Sequence, residues 1–188
     1  MLHNNFIHLK NLRLADYNFI YELNKNCYRS DIKNVIKKDL LIFNRLDNMI
    51  QQLNLMMIES SLPNILSNII LDIIDKGNFS LGINFILQEC RERALKNESN
   101  YYIKYKLKMF LYHLLFTNTS SSNVFIDKIK YENVYYFKCE KKELEYFSFY
   151  QQNELLDLVY SKSIFQIKLN KSSIKDGLAI INLSIRVE

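Results

Sequence analysis

The chain has 188 residues, 48% hydrophobic and 24% charged, which excludes a disordered protein and allows one domain with a sizeable core. Its net charge of +5 suits an anionic ligand such as a nucleotide cofactor. The positive residues are scattered along the chain, short of the clustered basic stripe expected of a nucleic-acid binder.

In chain order, Phe6 to Leu14 alternates approximately and predicts a first strand. Asp16 is placed to cap a short helix carrying Phe19, Ile20 and Leu23 on one face. A second helix begins near Ser30 or Asp31, with Ile32, Val35, Ile36, Leu40, Phe43, Leu46 and Ile50 as its stripe. Leu53–Ile58 and Asn68–Ile74 are compact apolar runs separated by a turn over Ser60–Asn64. Asp75-Lys76-Gly77-Asn78 has hairpin-turn chemistry. Phe79, Leu81, Ile83, Phe85 and Leu87 then alternate, so the three segments together predict an antiparallel meander of central strands.

Gln88 to Ala94 reads as a polar link. A long helix follows from roughly Tyr102 to Phe116, burying Ile103, Leu107, Phe110, Leu111, Leu114 and Leu115. Ser120–Asn123 breaks it. Val124–Ile129 and Val134–Phe137 predict a hairpin, Leu144–Tyr150 a strand, Glu154–Tyr160 a short helix, and Phe165–Leu169 with Leu178–Val187 a closing hairpin. No internal repeat or flexible linker interrupts this, and one domain over 1–188 is expected.

Cys27, Cys90 and Cys139 are far apart, odd in number and lack metal-ligand spacing, which reads as reduced thiols in a cytosol. His3, His8 and His113 form no zinc pattern. With no signal-peptide pattern and no apolar run of membrane-spanning length, a soluble cytoplasmic protein without a membrane or metal is expected.

Three stretches carry a resemblance. They are Ile7 to Asp16 followed by Phe19–Leu23, Leu81-Gly82-Ile83 before Gln88-Glu89-Cys90-Arg91, and Asn153 through Phe165 with Val159-Tyr160-Ser161-Lys162. Their order resembles the GNAT superfamily of N-acetyltransferases over most of the chain. The resemblance implies an α+β fold of GNAT-like α/β/α type. Its mixed, twisted, mostly antiparallel sheet would splay a parallel pair, Phe79–Leu87 and Leu144–Tyr150, around the pantetheine arm. The segment at about 117–142 does not fit the family's compact core and is expected to be an insertion, either a peripheral excursion or one that covers the substrate mouth or makes a homodimer contact.

The implied activity is acetyl transfer from acetyl-coenzyme A (acetyl-CoA) to a primary amine by direct attack, the acceptor being a small molecule or a peptide. In that scheme Phe85, Ile86 and Leu87 would align the cofactor arm. Arg91, Arg93 and Ala94 would hold the pyrophosphate and Asn153 would hydrogen-bond the arm. Tyr160 would protonate the thiolate, since a phenol stays protonated near neutral pH, and Asp72 would accept the amine proton. The segment Arg91–Lys96 departs from the family's pattern: Lys96 replaces a small residue, and Glu92 sets a negative charge near the expected phosphates. That departure keeps two other classes open: a GNAT-fold binding or regulatory protein without catalysis, and a basic nucleic-acid-binding α+β protein.

Overall fold

The computed structural model describes residues 12–23, 41–77, 79–93, 95–116, 133–138, 143–148, 152–175 and 177–188. Strand β1 (Leu12–Leu23) is followed by β2 (Leu41–Leu46), helix α1 (Met49–Ile58), helix α2 (Leu62–Lys76) and the short β3 (Ser80–Gly82). Then come α3 (Ile83–Arg93), α4 (Asn100–Phe116), β4 (Asn133–Lys138), β5 (Glu143–Ser148), α5 (Gln152–Lys162), β6 (Ser163–Lys175) and β7 (Leu178–Val187). The class is α+β.

Five strands form an open sheet in the order β2-β1-β7-β6-β3, and every neighbouring pair in it is antiparallel. Because side chains alternate along a strand, register decides which residues share a face. Tyr17 stands opposite Leu183, which in turn faces Ile167, and Ala15 lies in the row of Ile185 and Phe165. Leu183, Ile185, Phe165, Ile167 and Tyr17 are all buried. This apolar face meets the helices. Tyr21 donates its hydroxyl to the Ser67 carbonyl of α2 at 3.0 Å, and the Tyr17 ring lies 6.3 Å from Phe110 of α4. Each such aliphatic or aromatic side chain contributes about 1.5–3 kcal/mol on full burial.

The predicted meander of central strands is not what forms. Leu53–Ile58 belongs to α1 and Asn68–Ile74 to α2, while only Ser80–Gly82 of the third segment is strand. The physical reason lies in the spacing: Leu62, Ile65, Leu66, Ile69, Ile70, Ile73 and Ile74 recur every three or four residues and all are buried. Pro63 sits in the first turn of α2, where its missing N–H costs nothing. Gly77 closes the helix in the left-handed region at φ 69°, so its positive φ serves a helix end rather than a hairpin.

The N-terminal expectation is corrected in the same way. Asp16–Leu23 is strand rather than helix, because Tyr17, Phe19 and Tyr21 alternate into the core. The Phe43–Leu46 part of the expected second helix is β2, its part before Leu41 lies outside the described residues, and Met49–Ile58 is helix, capped by the Asn48 side chain accepting from the Ile50 and Gln51 amides. No parallel splayed pair exists among the described residues. β3 pairs antiparallel with β6, and Glu143–Ser148 pairs with Asn133–Lys138 in a separate two-stranded sheet. The expected Val124–Ile129 strand lies outside the described residues, and β4 pairs with β5. The long fourth helix, the C-terminal helix and the closing hairpin form where the sequence places them.

Candidate functional site

Helix α5 runs two turns from Asn153 to Tyr160 and delivers the chain directly into the β6–β7 hairpin, whose turn holds Gly177 at φ 80°. Asn153 is exposed in the first turn of the helix, whereas Tyr160 is buried at 5% exposure. The Tyr160 hydroxyl has no hydrogen-bond partner among the described residues. Lys104 of α4 sets its ammonium 5.4 Å from the Tyr160 ring centroid, a cation–π contact. Burial raises the Tyr160 phenol above its ordinary value, and the neighbouring Cys90 adds to the effect. Cys90 itself is 1% exposed and its thiol is pushed up to about 12, first by burial and then by Glu89, which leaves it in its unreactive protonated form.

Phe85, Ile86 and Leu87 stand on α3 instead of a strand. Ile86 is buried in the core, Phe85 and Leu87 are half-buried, and Lys76 lies 5.9 Å above the Phe85 ring. In a helix the carbonyls of these residues accept the ladder's own i→i−4 bonds, so no extended edge is offered to a pantetheine arm. Arg91 is exposed on the last turn of the same helix. Arg93 bonds Glu89 at 2.6 Å and pairs with Asp72 of α2. Asp72 therefore sits on a helix as a partner of Arg93 rather than on a central strand facing an amine. Its side chain is 14% exposed, that of Glu89 10% and that of Arg93 29%. Burial lowers the Arg93 guanidinium from its ordinary value without removing its charge. Ala94 lies outside the described residues.

The fold thus joins Arg93 to Asp72 and sets Tyr160 against α3 through Cys90, while Arg91 and Asn153 remain on the surface. Among the described residues no group of three or more His, Cys, Asp or Glu side chains is placed to hold a metal ion, and no single helix is long and apolar enough to cross a membrane.

Two surfaces escaped the sequence reading. Helix α1 carries no charged residue, and its outer side exposes Met49 (59%), Leu53 (44%), Met56 (42%) and Met57 (60%), spaced i, i+4, i+7, i+8. That spacing was legible, but it is hidden when Leu53–Ile58 is read as a strand. Its inner side holds Leu55 and Ile58 in the core, and Lys106 of α4 donates to the Ile58 carbonyl at 2.8 Å. On α4, Tyr101 (81% exposed) and Tyr105 (51%) share one side with Lys104 and Lys108. Comparison of the chain with family models, with curated proteins and with solved structures gives no match.

Proposed function

We propose that this chain is a non-catalytic binding module that engages a protein partner through the outer face of α1. The observation that carries the reading is the uncharged stripe Met49, Leu53, Met56 and Met57, left open on a helix whose other side is fixed in the core. Apolar residues exposed singly are ordinary, but a contiguous stripe on one helix is the pattern of helix-in-groove recognition. Methionine suits such a surface because its unbranched, polarisable chain adapts to a partner's shape.

A photo-crosslinking residue at Met57 is expected to give one discrete adduct in cells, and the same residue at exposed Lys162 none. Leu53→Glu should abolish the Met57 adduct with little change in melting temperature. Equal crosslinking from both positions would sink the reading.

The acyltransferase is the second reading, favoured by one observation: a helix with Asn153 and Tyr160 two turns apart runs straight into the closing hairpin, in the order the GNAT resemblance implies. Under it, acetyl-CoA at a hundred times its Kd would stabilise the protein by about 2.7 kcal/mol. Under the binding-module reading, millimolar acetyl-CoA leaves the melting temperature unchanged. If stabilisation is seen, Tyr160→Phe is the next variant, and unchanged turnover would remove Tyr160 from the acid role.

A further inference from the structure

Beyond that reading, helix α4 supports a second interaction surface. The stretch from Arg91 to Lys108 holds six cations against two carboxylates, Glu92 and Glu98, and so carries four of the chain's five net positive charges. Of the six, Arg93 is engaged by Asp72 and Glu89 and Lys106 by the Ile58 carbonyl, which leaves Arg91, Lys96, Lys104 and Lys108. Tyr101, Lys104, Tyr105 and Lys108 fall at i, i+3, i+4 and i+7, which puts two aromatic rings and two ammonium groups on one side of the helix. Arg91 is exposed on the last turn of α3, and Lys96 is exposed in the link between α3 and α4. The Lys104 ammonium lies 5.4 Å from the centroid of the Tyr160 ring, at the edge of this face. Lys108 pairs with Asp157 of α5, the carboxylate an incoming anion must displace.

We infer that the Tyr101–Lys108 face of α4 binds single-stranded nucleic acid, with bases stacked on Tyr101 and Tyr105 and phosphates held by Lys104, Lys108, Arg91 and Lys96. Two rings one helical turn apart lie about 6 Å from each other at their Cβ atoms, which suits successive bases of an unpaired strand. The face offers hydroxylated rings and no aliphatic side chain to enter an acyl layer, which favours nucleic acid over an anionic membrane. Stacking on tyrosine is tolerant of sequence, so affinity rather than base preference is expected.

The test is fluorescence anisotropy of the full chain with a labelled twelve-residue oligothymidylate. Neutralising three or four phosphates gives a log–log salt slope of about −2 to −3, so binding should weaken roughly thirtyfold between 50 and 200 mM salt. Tyr101→Ala with Tyr105→Ala should weaken it a further tenfold or more at fixed salt with the slope retained, because each stacked base contributes a factor of about five or more. Lys104→Gln should reduce the slope by about 0.7. Both tyrosines are exposed, so the double variant is expected to keep the parent circular dichroism spectrum. The inference is overturned by absence of binding at 50 mM salt. It is equally overturned if the tyrosine double variant binds like the parent, which would mean a diffuse basic surface. Tyrosine-dependent binding to phosphatidylserine vesicles would also overturn it, because the face would then be a membrane contact.

Discussion

Replacing Arg93 by Met tests the interaction that most directly competes with a cofactor role. The guanidinium links α3 to α2 by pairing with Asp72 while bonding Glu89 on its own helix at 2.6 Å. An exposed ion pair is worth about 0.2–1 kcal/mol, whereas breaking a buried one costs about 3–5 kcal/mol because a charge is left in the interior. With Asp72 and Glu89 only 14% and 10% exposed but Arg93 at 29%, this cluster lies between those limits. Arg93→Met strips the shared cation from two carboxylates and should cost about 2 kcal/mol. For a chain of this length that is a fall in melting temperature of about 4–8 °C. Urea unfolding followed at 222 nm measures it, with the midpoint shifted and the m-value unchanged.

Arg91→Met, on the exposed last turn of the same helix, is the control and should stay within about 0.5 kcal/mol of the parent. Adding Asp72→Asn to Arg93→Met should recover part of the loss, with a coupling of about 1 kcal/mol between the two sites. If Arg93→Met proves as mild as Arg91→Met, the cluster contributes nothing to the fold. Arg93 would then be available to a ligand phosphate, as the pyrophosphate role requires.

Two further outcomes follow from local geometry and burial. Gly77→Ala should destabilise by about 1–2 kcal/mol through the left-handed backbone alone, since a Cβ there meets nothing within 4 Å. Gly77→Asn should cost less, and an unchanged urea midpoint for the alanine variant would refute the helix-cap assignment. Stability should also decline in alkali. Burial raises the thiol of Cys90 to about 12 from 9.0 and raises the phenols of Tyr17, Tyr21 and Tyr160. The unfolded chain therefore loses these protons first, so their contribution is complete below about pH 9 and is lost as pH rises towards 12. The slope approaches about 1.4 kcal/mol per pH unit for each group that titrates only in the unfolded state. A flat urea midpoint between pH 8.5 and 10.5 would contradict the burial of these groups.

The parts that were legible share one property. In α4 and α5 the apolar period of 3.6 is uninterrupted, and in the closing hairpin Phe165, Ile167 and Leu169 alternate with polar residues, as do Ile181, Leu183, Ile185 and Val187, so each pattern points to one conformation. The first 90 residues were harder. Asp16–Leu23 contains both a plausible helix face (Phe19, Ile20, Leu23) and an alternating strand face (Tyr17, Phe19, Tyr21). Pairing of the whole of β1 with β7 along ten registered positions is what selects the strand. The residues assigned to a cofactor strand show the same ambiguity in reverse. Phe79, Leu81, Ile83, Phe85 and Leu87 alternate, but from Ile83 onward the chain is helix α3, which buries Ile83, Ile86 and Cys90 at helical spacing.

The amino-acid sequence by itself determined an α+β chain with a long amphipathic helix, a C-terminal helix leading into a hairpin, and enough apolar residues for one core. Those features depend on neighbours within a few positions, where local periodicity is decisive. Tertiary structure alone decided that Asp16–Leu23 is a strand paired with β7, that Asp72 and Arg93 meet as an ion pair, and that Met49, Leu53, Met56 and Met57 are left uncovered. Each of these depends on contacts between residues far apart in the chain. Burial against a partner element, rather than intrinsic preference, sets the outcome there.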